Sequence, residues 1–312
     1  ENMFDLLVVS DCVLDLYHRV KYLPIRVNDV ALTSEPVPSP GGACNVAVVA
    51  SKLGLKVAVV DALGDDYAAE LLMRMLNEAG VYTGLIRRVK GAYTSISNNI
   101  VDDKGRHAFI GFIGAGKHLK PTDVDEDIVK ESKAIFISGF NIPHSATVKE
   151  TVMKIIEAGL RDGSSLFLDP GPAAGVIRSH IPNLTRVFRA ILLNDSEAKA
   201  LYNSGFRDSI RLMRGSGGTF VVKLGGKGAL LINSGKATRC PAIKPSRIIT
   251  TVGAGDAFNA AYITGVLRGL SDLDSCRFAN QIASIRLGVL SIMDLPNMPN
   301  AVAEFLNTRR LP

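Results

Sequence analysis

Asp256 follows Gly253, Ala254 and Gly255 at the head of a strongly helical segment, Thr250 to Gly269, which reads TTVGAGDAFNAAYITGVLRG. These small residues leave the first backbone N–H groups of the helix open to a ligand, and unsatisfied N–H groups at the positive end of a helix dipole hold anions. An aspartate in the first turn can simply complement that dipole. Beside a bound phosphoryl group it can also accept the proton of an attacking hydroxyl while the N–H cradle carries charge on the transferring group.

Four other segments carry side chains of the same kind. In PGGACNVAVVASKLG, Gly41 and Gly42 precede a helix opened by Asn45, with Val46, Val49 and Leu53 inward. The glycines suit a turn, or a site where their N–H groups and the Asn45 amide bind hydroxyls of a polyol. In LLVVSDCVLDLY a strand ends near Asp11 and Asp15, and open α/β sheets bind ligands just beyond the carboxyl ends of their strands. Asp15 is the better candidate to accept hydrogen bonds from two sugar hydroxyls. In Asn194-Asp195-Ser196-Glu197 the first and last residues form a capping-box pattern, or Glu197 orders Mg²⁺ through water, since that hard cation keeps several waters. Gly225, Gly226 and Gly228 in VVKLGGKGALLI make a hairpin turn, or a loop kept small so that nucleotide phosphates and ribose can lie on it.

Elements that could position these groups follow from the hydrophobic pattern. Runs rich in Val, Ile and Leu alternate with amphipathic stretches, the pattern of a parallel sheet covered by helices. Strands are expected at Phe4 to Ser10, Lys56 to Ala62, Ala134 to Ser138, Ser165 to Asp169, Ala190 to Asn194, Thr219 to Lys223 and Gly228 to Asn233. The clearest helix is Thr147 to Leu160, with Val148, Val152, Ile155, Ile156 and Leu160 on one face and Thr147 and Glu150 as a capping box. The alternation breaks at Tyr17 to Pro40 and at Tyr93 to Phe112, the latter reading as two strands joined by an Asp-Asp-Lys-Gly turn. Short strands from these places could pair into a small sheet standing off the main one as a lid.

The 312 residues allow one large or two small domains, and 47% hydrophobic against 21% charged residues gives material for a sizeable core. No apolar run approaches the roughly 20 residues that span a bilayer, and the N-terminus lacks a basic leader, so a soluble, cytoplasmic protein is expected. The net charge of +6 is spread along the chain, which argues against nucleic acid as a partner and suits an anionic small ligand. Cys12, Cys44, Cys240 and Cys276 include no C-x-x-C pair, so free, mostly buried thiols are expected rather than zinc or disulfides.

Taken in this order, the segments resemble the ribokinase-like (PfkB) family of carbohydrate and nucleoside kinases over nearly the whole chain. The resemblance implies a single domain over residues 1–312: a Rossmann-like α/β three-layer sandwich with a mostly parallel central sheet and a small β-sheet lid from about 16–40 and 92–114. The lid is often used in homodimer contacts in that family. The resemblance also implies transfer of the ATP γ-phosphoryl group to a hydroxyl. Asp256 would be the catalytic base, and Gly253, Ala254 and Gly255 the anion hole. Asp15, Gly41, Gly42 and Asn45 would be the acceptor contacts. Asn194 and Glu197 would form the Mg²⁺–phosphate group, and Lys223, Gly225, Gly228 and Asn280 would lie along the nucleotide.

This chain departs from the family pattern in places that bear on substrate. Thr250 stands where an aspartate associated with monovalent-cation binding is common, so the resemblance does not carry such a cation over. G-G-A-C-N is one residue shorter than the commoner G-G-x-x-x-N, a spacing similar to heptose-phosphate kinases, and LDPGPA lacks a D-P-N-x-R form, which favours a ribose-like or nucleoside acceptor. The leading expectation is an ATP- and Mg²⁺-dependent sugar kinase. Its rivals are a nucleoside kinase, in which Tyr or Phe of the lid would stack on the base because Trp is absent, and a non-catalytic sugar-binding regulator. A nicotinamide dehydrogenase is disfavoured, since no G-x-G-x-x-G follows the first strand.

Overall fold

The computed structural model describes residues 3–308. Its strands are β1 (Phe4–Val9), β2 (Cys12–Val20), β3 (Val37–Gly42), β4 (Val57–Gly64), β5 (Ile86–Val89), β6 (Ile96–Asp102), β7 (His107–Phe112), β8 (Ser132–Ser138), β9 (Ser165–Asp169), β10 (Ala190–Asn194), β11 (Phe220–Lys223), β12 (Ala229–Asn233) and β13 (Lys236–Cys240). Nine of them form one sheet in the order β13-β12-β11-β10-β9-β8-β1-β4-β5. It is parallel from β11 through β5, with an antiparallel β11–β12–β13 edge. The chain leaves β1 toward β4 on one side and returns to β8 on the other, so the strand order reverses at β1, where such sheets open a crevice for ligands.

Both faces of this sheet are buried, which is why its strands read as continuous apolar runs. Successive side chains point to opposite faces: Leu6 and Val8 join one core with the helices Ala43–Lys52 and Ala254–Leu267, while Leu7 and Val9 join the other with the helix Ala146–Asp162. A second sheet, ordered β3-β2-β6-β7, pairs β2 with β6 in parallel and is otherwise antiparallel. It stands off the main sheet as a lid. Among the described residues no helix is long and apolar enough to cross a membrane.

Several expectations need correction. Asp15 lies within lid strand β2, not in a loop past β1, because Ser10 and Asp11, at φ 69° and 61°, turn the chain sharply between the strands. Left-handed backbone at two successive non-glycine residues costs about 1–3 kcal/mol each. The helix Ala146–Asp162 is capped by Ser145, whose side chain accepts from the Val148 N–H, so Thr147 and Glu150 are not its capping box, and Leu160 is 47% exposed rather than inward. Strands β5 and β13 lie outside the seven expected, since their charged and polar residues mask any apolar run.

The expectation of free cysteines fails for one pair: Cys12 and Cys44 form a disulfide, while Cys240 and Cys276 are free and buried. Sequence separation of 32 hides this contact. The β2–β3 register sets Cys12 opposite Gly42, which brings Cys44 at the start of the next helix alongside it. Non-reducing peptide mapping should recover the linked Cys12 and Cys44 peptides, and reduction should cost about 4 kcal/mol of stability, as expected for closing a loop of this size. Recovery of all the cysteines as free thiols from unreduced protein would remove the bridge.

Candidate functional site

Asp11 follows β1 by two residues, and Ser138, Asp169, Asn194 and Lys223 are the last residues of β8, β9, β10 and β11. All five therefore face one cleft at the carboxyl edge of the sheet. The helix Ala254–Leu267 points its N-terminus into this cleft, with Gly253 as its cap at φ 77° and no side chain capping the first turn. The Ala254 N–H makes a long bond of 3.4 Å to the Thr251 carbonyl, and no side chain competes with a ligand for the N–H groups of this turn.

The cleft is a chain of three adjoining cavities. The central one, about 300 Å³, is lined by Asp11, Asp169, Asn194, Glu197, Lys223, Gly253, Gly255 and Asp256 among others. It opens through Asn194, Lys223 and Gly255 into a cavity of about 650 Å³ that also meets Gly225, Gly226, Gly228 and Asn280. On the other side, through Asp11, Gly42, Gly253 and Asp256, it opens into a cavity of about 440 Å³ beneath the lid, lined by Asp15, Asn45, Asn99, Asn141 and the lid residues Phe109 and Phe112. The GAGD segment spans the narrow centre, Gly255 toward one outer cavity and Asp256 toward the other.

Asp256 Oδ2 accepts a hydrogen bond from Asn45 Nδ2 at 3.1 Å. Burial pushes its carboxyl up to about 7, with Asp169 adding to the rise and Lys223, Asn45 and Arg286 opposing it. Asp15, 5% exposed, is also lifted by burial to about 7, with Asn99 and Arg286 pulling it down and Asp256 pushing it up. A Cβ on Gly41 would overlap the Asp15 carboxyl, and one on Gly42, at φ +57°, would overlap the Asp11 carbonyl. These two positions therefore require glycine for close approach and backbone shape. Among the described residues, Asn45 Oδ1, Asn99 Nδ2 and Asn141 Oδ1 are buried without hydrogen-bond partners, although such atoms nearly always have one. All three residues line the lid-side cavity, so a polyol would find both donors and acceptors waiting there.

Lys223 Nζ donates to Asp169 Oδ2 at 2.8 Å and to Asn259 Oδ1 at 2.9 Å, and Asn259 Nδ2 donates to the same Asp169 oxygen at 2.6 Å. Burial alone would lower the Lys223 ammonium, but Asp169 and Glu197 outweigh it and hold the group charged. Glu197 and Asn194 do form the capping box: the Asn194 N–H donates to Glu197 Oε2, and the Glu197 N–H donates to Asn194 Oδ1, each at 2.8 Å. Asn194 Nδ2 also donates to Glu197 Oε1. The carboxylate is therefore fixed in place at the central cavity, and burial and Asp169 raise its pKa. Asn280 donates to the Cys240 and Pro241 carbonyls at 3.1 and 3.0 Å, so its amide nitrogen holds the cavity wall. Thr250 is buried and its hydroxyl accepts from the Val252 N–H. Asp169, Asn259, Asn99, Asn141 and Arg286 also stand at the site without having been singled out from the sequence, although Asn259 lies within the GAGD segment and Asp169 within LDPGPA. Of these only Asp169 carried a signal, as a carboxylate closing a parallel strand.

Asp15, Asp61 and Asp256 are each lifted to about 7, burial being the largest cause, and Asp11 stands well above its ordinary value. In an unfolded chain such groups lose their protons near 4. Between about 4 and 7 the folded protein therefore holds more protons than the unfolded one, and its stability falls as pH rises through that window. Without ligands, the thermal midpoint should be several degrees higher at pH 5.5 than at pH 8, and Asp15→Asn should flatten the slope. A midpoint that rises over this range would contradict the burial of these carboxyls.

The family model for pfkB family carbohydrate kinases matches residues 3–297. Among curated relatives, a nucleoside kinase of Methanothermobacter thermautotrophicus is 26% identical over 282 residues, 90% of this chain and 88% of the relative. An ATP-dependent ribose-1-phosphate kinase of Halopiger xanaduensis is 26% identical over 302 residues, 95% of each chain. Among solved structures, Arabidopsis thaliana ribokinase with ribose and ATP superposes at a TM-score of 0.81 with 23% identity, covering 96% of this chain and 97% of that one, which gives the ribokinase-like fold. With a family match across nearly its whole length and a lidded cleft at the reversal of its sheet, the chain belongs to the pfkB family of carbohydrate kinases and is a phosphotransferase acting on a hydroxyl acceptor.

Proposed function

We propose that the protein transfers the γ-phosphoryl group of ATP to a hydroxyl of a small, neutral, ribose-like sugar, with Asp256 as the general base. The observation that carries this reading is the position of Asp256, in the first turn of an uncapped helix, where the lid-side cavity meets the central one. The acceptor lies under the lid, with hydroxyls bound by Asp15, Asn45, Asn99 and the N–H groups of Gly41 and Gly42. The nucleotide lies in the larger cavity along Gly225, Gly228, Lys223, Asn194 and Asn280, its γ-phosphoryl group at the N–H groups of Gly253, Ala254 and Gly255. As the acceptor oxygen bonds to phosphorus, its proton passes to Asp256 and the bond to the leaving ADP oxygen breaks. Positioning and charge stabilisation do most of the work in such a transfer.

The carboxylate of Glu197, already held by Asn194 amide groups, suits a hydrated Mg²⁺ ion bound through water. When bound, that ion would neutralise charge on the phosphates. No monovalent cation is included in the proposal, since Thr250 offers a hydroxyl where a carboxylate would be needed. Ile110, 64% exposed on the outer lid strand, and Val27, Val30 and Leu32, each more than 80% exposed, support a homodimer formed through the lid. An ATP donor favours the cytoplasm as its place of action, while the Cys12–Cys44 bridge is of a kind rare there.

Phe109, Phe112, Ile113 and Phe140 give the lid-side cavity an apolar wall, which supports a second reading in which a nucleoside is the acceptor and its base lies on that wall. Among the described residues lining this cavity there is no lysine or arginine, so phosphorylated sugars are expected to be poor acceptors. A screen of ADP release with pentoses, hexoses, phosphorylated sugars and nucleosides decides. Turnover with neutral pentoses supports the first reading, turnover with nucleosides alone the second. No release with any acceptor would leave a sugar-binding regulator.

A further inference from the structure

Arg286, the last residue of the helix Asp272–Arg286, is fully buried. Its hydrogen bonds go to the carbonyls of Val289 and Leu290, at 2.7 and 3.2 Å, and to the Tyr17 hydroxyl at 3.3 Å. None of these partners is charged. Its Nε has no partner among the described residues. A buried guanidinium whose hydrogen bonds go only to neutral groups is costly, and holding two carbonyls beyond the helix end accounts for Nη1 and Nη2 but leaves Nε unused.

Its surroundings supply a reason. A Cβ built on Gly253 would come within 3.3 Å of both Nε and Nη2, and within 3.6 Å of Asn45 Nδ2. The guanidinium is therefore packed directly behind the glycine that caps the cradle helix. It also faces Asp15 and Asp256 closely enough to favour their ionised forms. On its other side Tyr17 belongs to β2, the lid strand that carries Asp15.

We propose that Arg286 is a positioning residue of the phosphoryl-transfer site: a fixed positive charge behind Gly253 that backs the anion cradle and, through Tyr17, ties it to the lid. This rests on the kinase reading above. The groups facing Asp256 are Asp11, Asp15, Asp169, Lys223 and Arg286, so removing the guanidinium leaves Lys223 alone against three carboxylates. Asp256 must be ionised to accept a proton. Loss of a nearby positive charge raises its pKa, and the acid limb of the rate profile then moves to higher pH.

The test measures kcat and KM from pH 5.5 to 9 with the acceptor found in the screen. Arg286→Gln is expected to lower kcat about 100-fold, the scale of losing one oxyanion donor, and to move the acid limb up by about one pH unit. Arg286→Lys keeps the charge but cannot span the same partners, so the limb should stay while kcat falls about 10-fold. If the glutamine variant does not fold, the lysine variant decides alone: wild-type kcat, or a displaced limb, overturns the proposal. A folded Arg286→Gln with unchanged kcat and limb also overturns it. Absence of ADP release from the unmodified protein ends the kinase reading and this proposal with it, whereas normal turnover with indifferent variants ends this proposal alone.

Discussion

Asp256→Asn is expected to lower kcat by about 10³-fold, within the range that a positioned general base contributes, while the KM for ATP and acceptor each change only a few-fold. Asparagine has nearly the same shape and can still accept the hydrogen bond from Asn45 Nδ2, so geometry survives while basicity is lost. A fall in kcat and kcat/KM by the same factor would mark an interaction needed only in the transition state. The wild-type profile should show an acid limb near 7, because burial lifts this carboxyl to about 7 and only its ionised form accepts a proton. The variant also removes a buried charge, so above pH 7 it should be no less stable than the parent. That control separates lost catalysis from lost folding, and a variant with near-normal kcat would take the base assignment away from Asp256.

Asp15→Ala should show the opposite kinetic signature, with acceptor KM rising at least about 100-fold and kcat falling less. A carboxylate accepting from two hydroxyls makes two charge-assisted bonds, each worth about 1.5–3 kcal/mol. The effect should be confined to the acceptor, since Asp15 lines the lid-side cavity and not the larger one. Asp15→Asn keeps one acceptor oxygen and should fall between. An unchanged acceptor KM, or a matching loss of ATP affinity, would mean that the cavities have been given the wrong occupants.

The main sheet was legible because strands buried on both faces appear as plain apolar runs: β9 and β10 have the expected bounds and most others agree within two residues. Legibility failed where a strand is short and charged, as in β5 with its two arginines, or polar, as in β13. The same divide runs through the site. GAGD, GGACN and the Asn194–Glu197 segment are local, and each could be read from spacing. Asn99, Asn141 and Arg286 gain their place at the site from distant neighbours, as Arg286 does from Tyr17 at 269 residues' separation. Gly41 lies between: its type announces a close approach, but what approaches is the carboxyl of Asp15, two strands' pairing away from being visible in the sequence.

The Cys12–Cys44 bridge fixes where the lid can bend. Cys12 is the first residue of β2 and Cys44 lies in the first turn of the helix Ala43–Lys52, itself buried against the main sheet. The root of the lid is thereby bolted to the body immediately after Ser10 and Asp11, where the Asp11 carbonyl also accepts from the Ala43 N–H at 2.7 Å, and those two residues cannot serve as a hinge. Any closure over an acceptor has to come from flexing farther out, along β6 and β7 and the turn between them, so that the lid works as a springboard clamped at one end and not as a door. Asp15, three residues from the clamp, then holds its station whether the tip is raised or lowered, so that under the proposed function an acceptor would meet this carboxylate already in place.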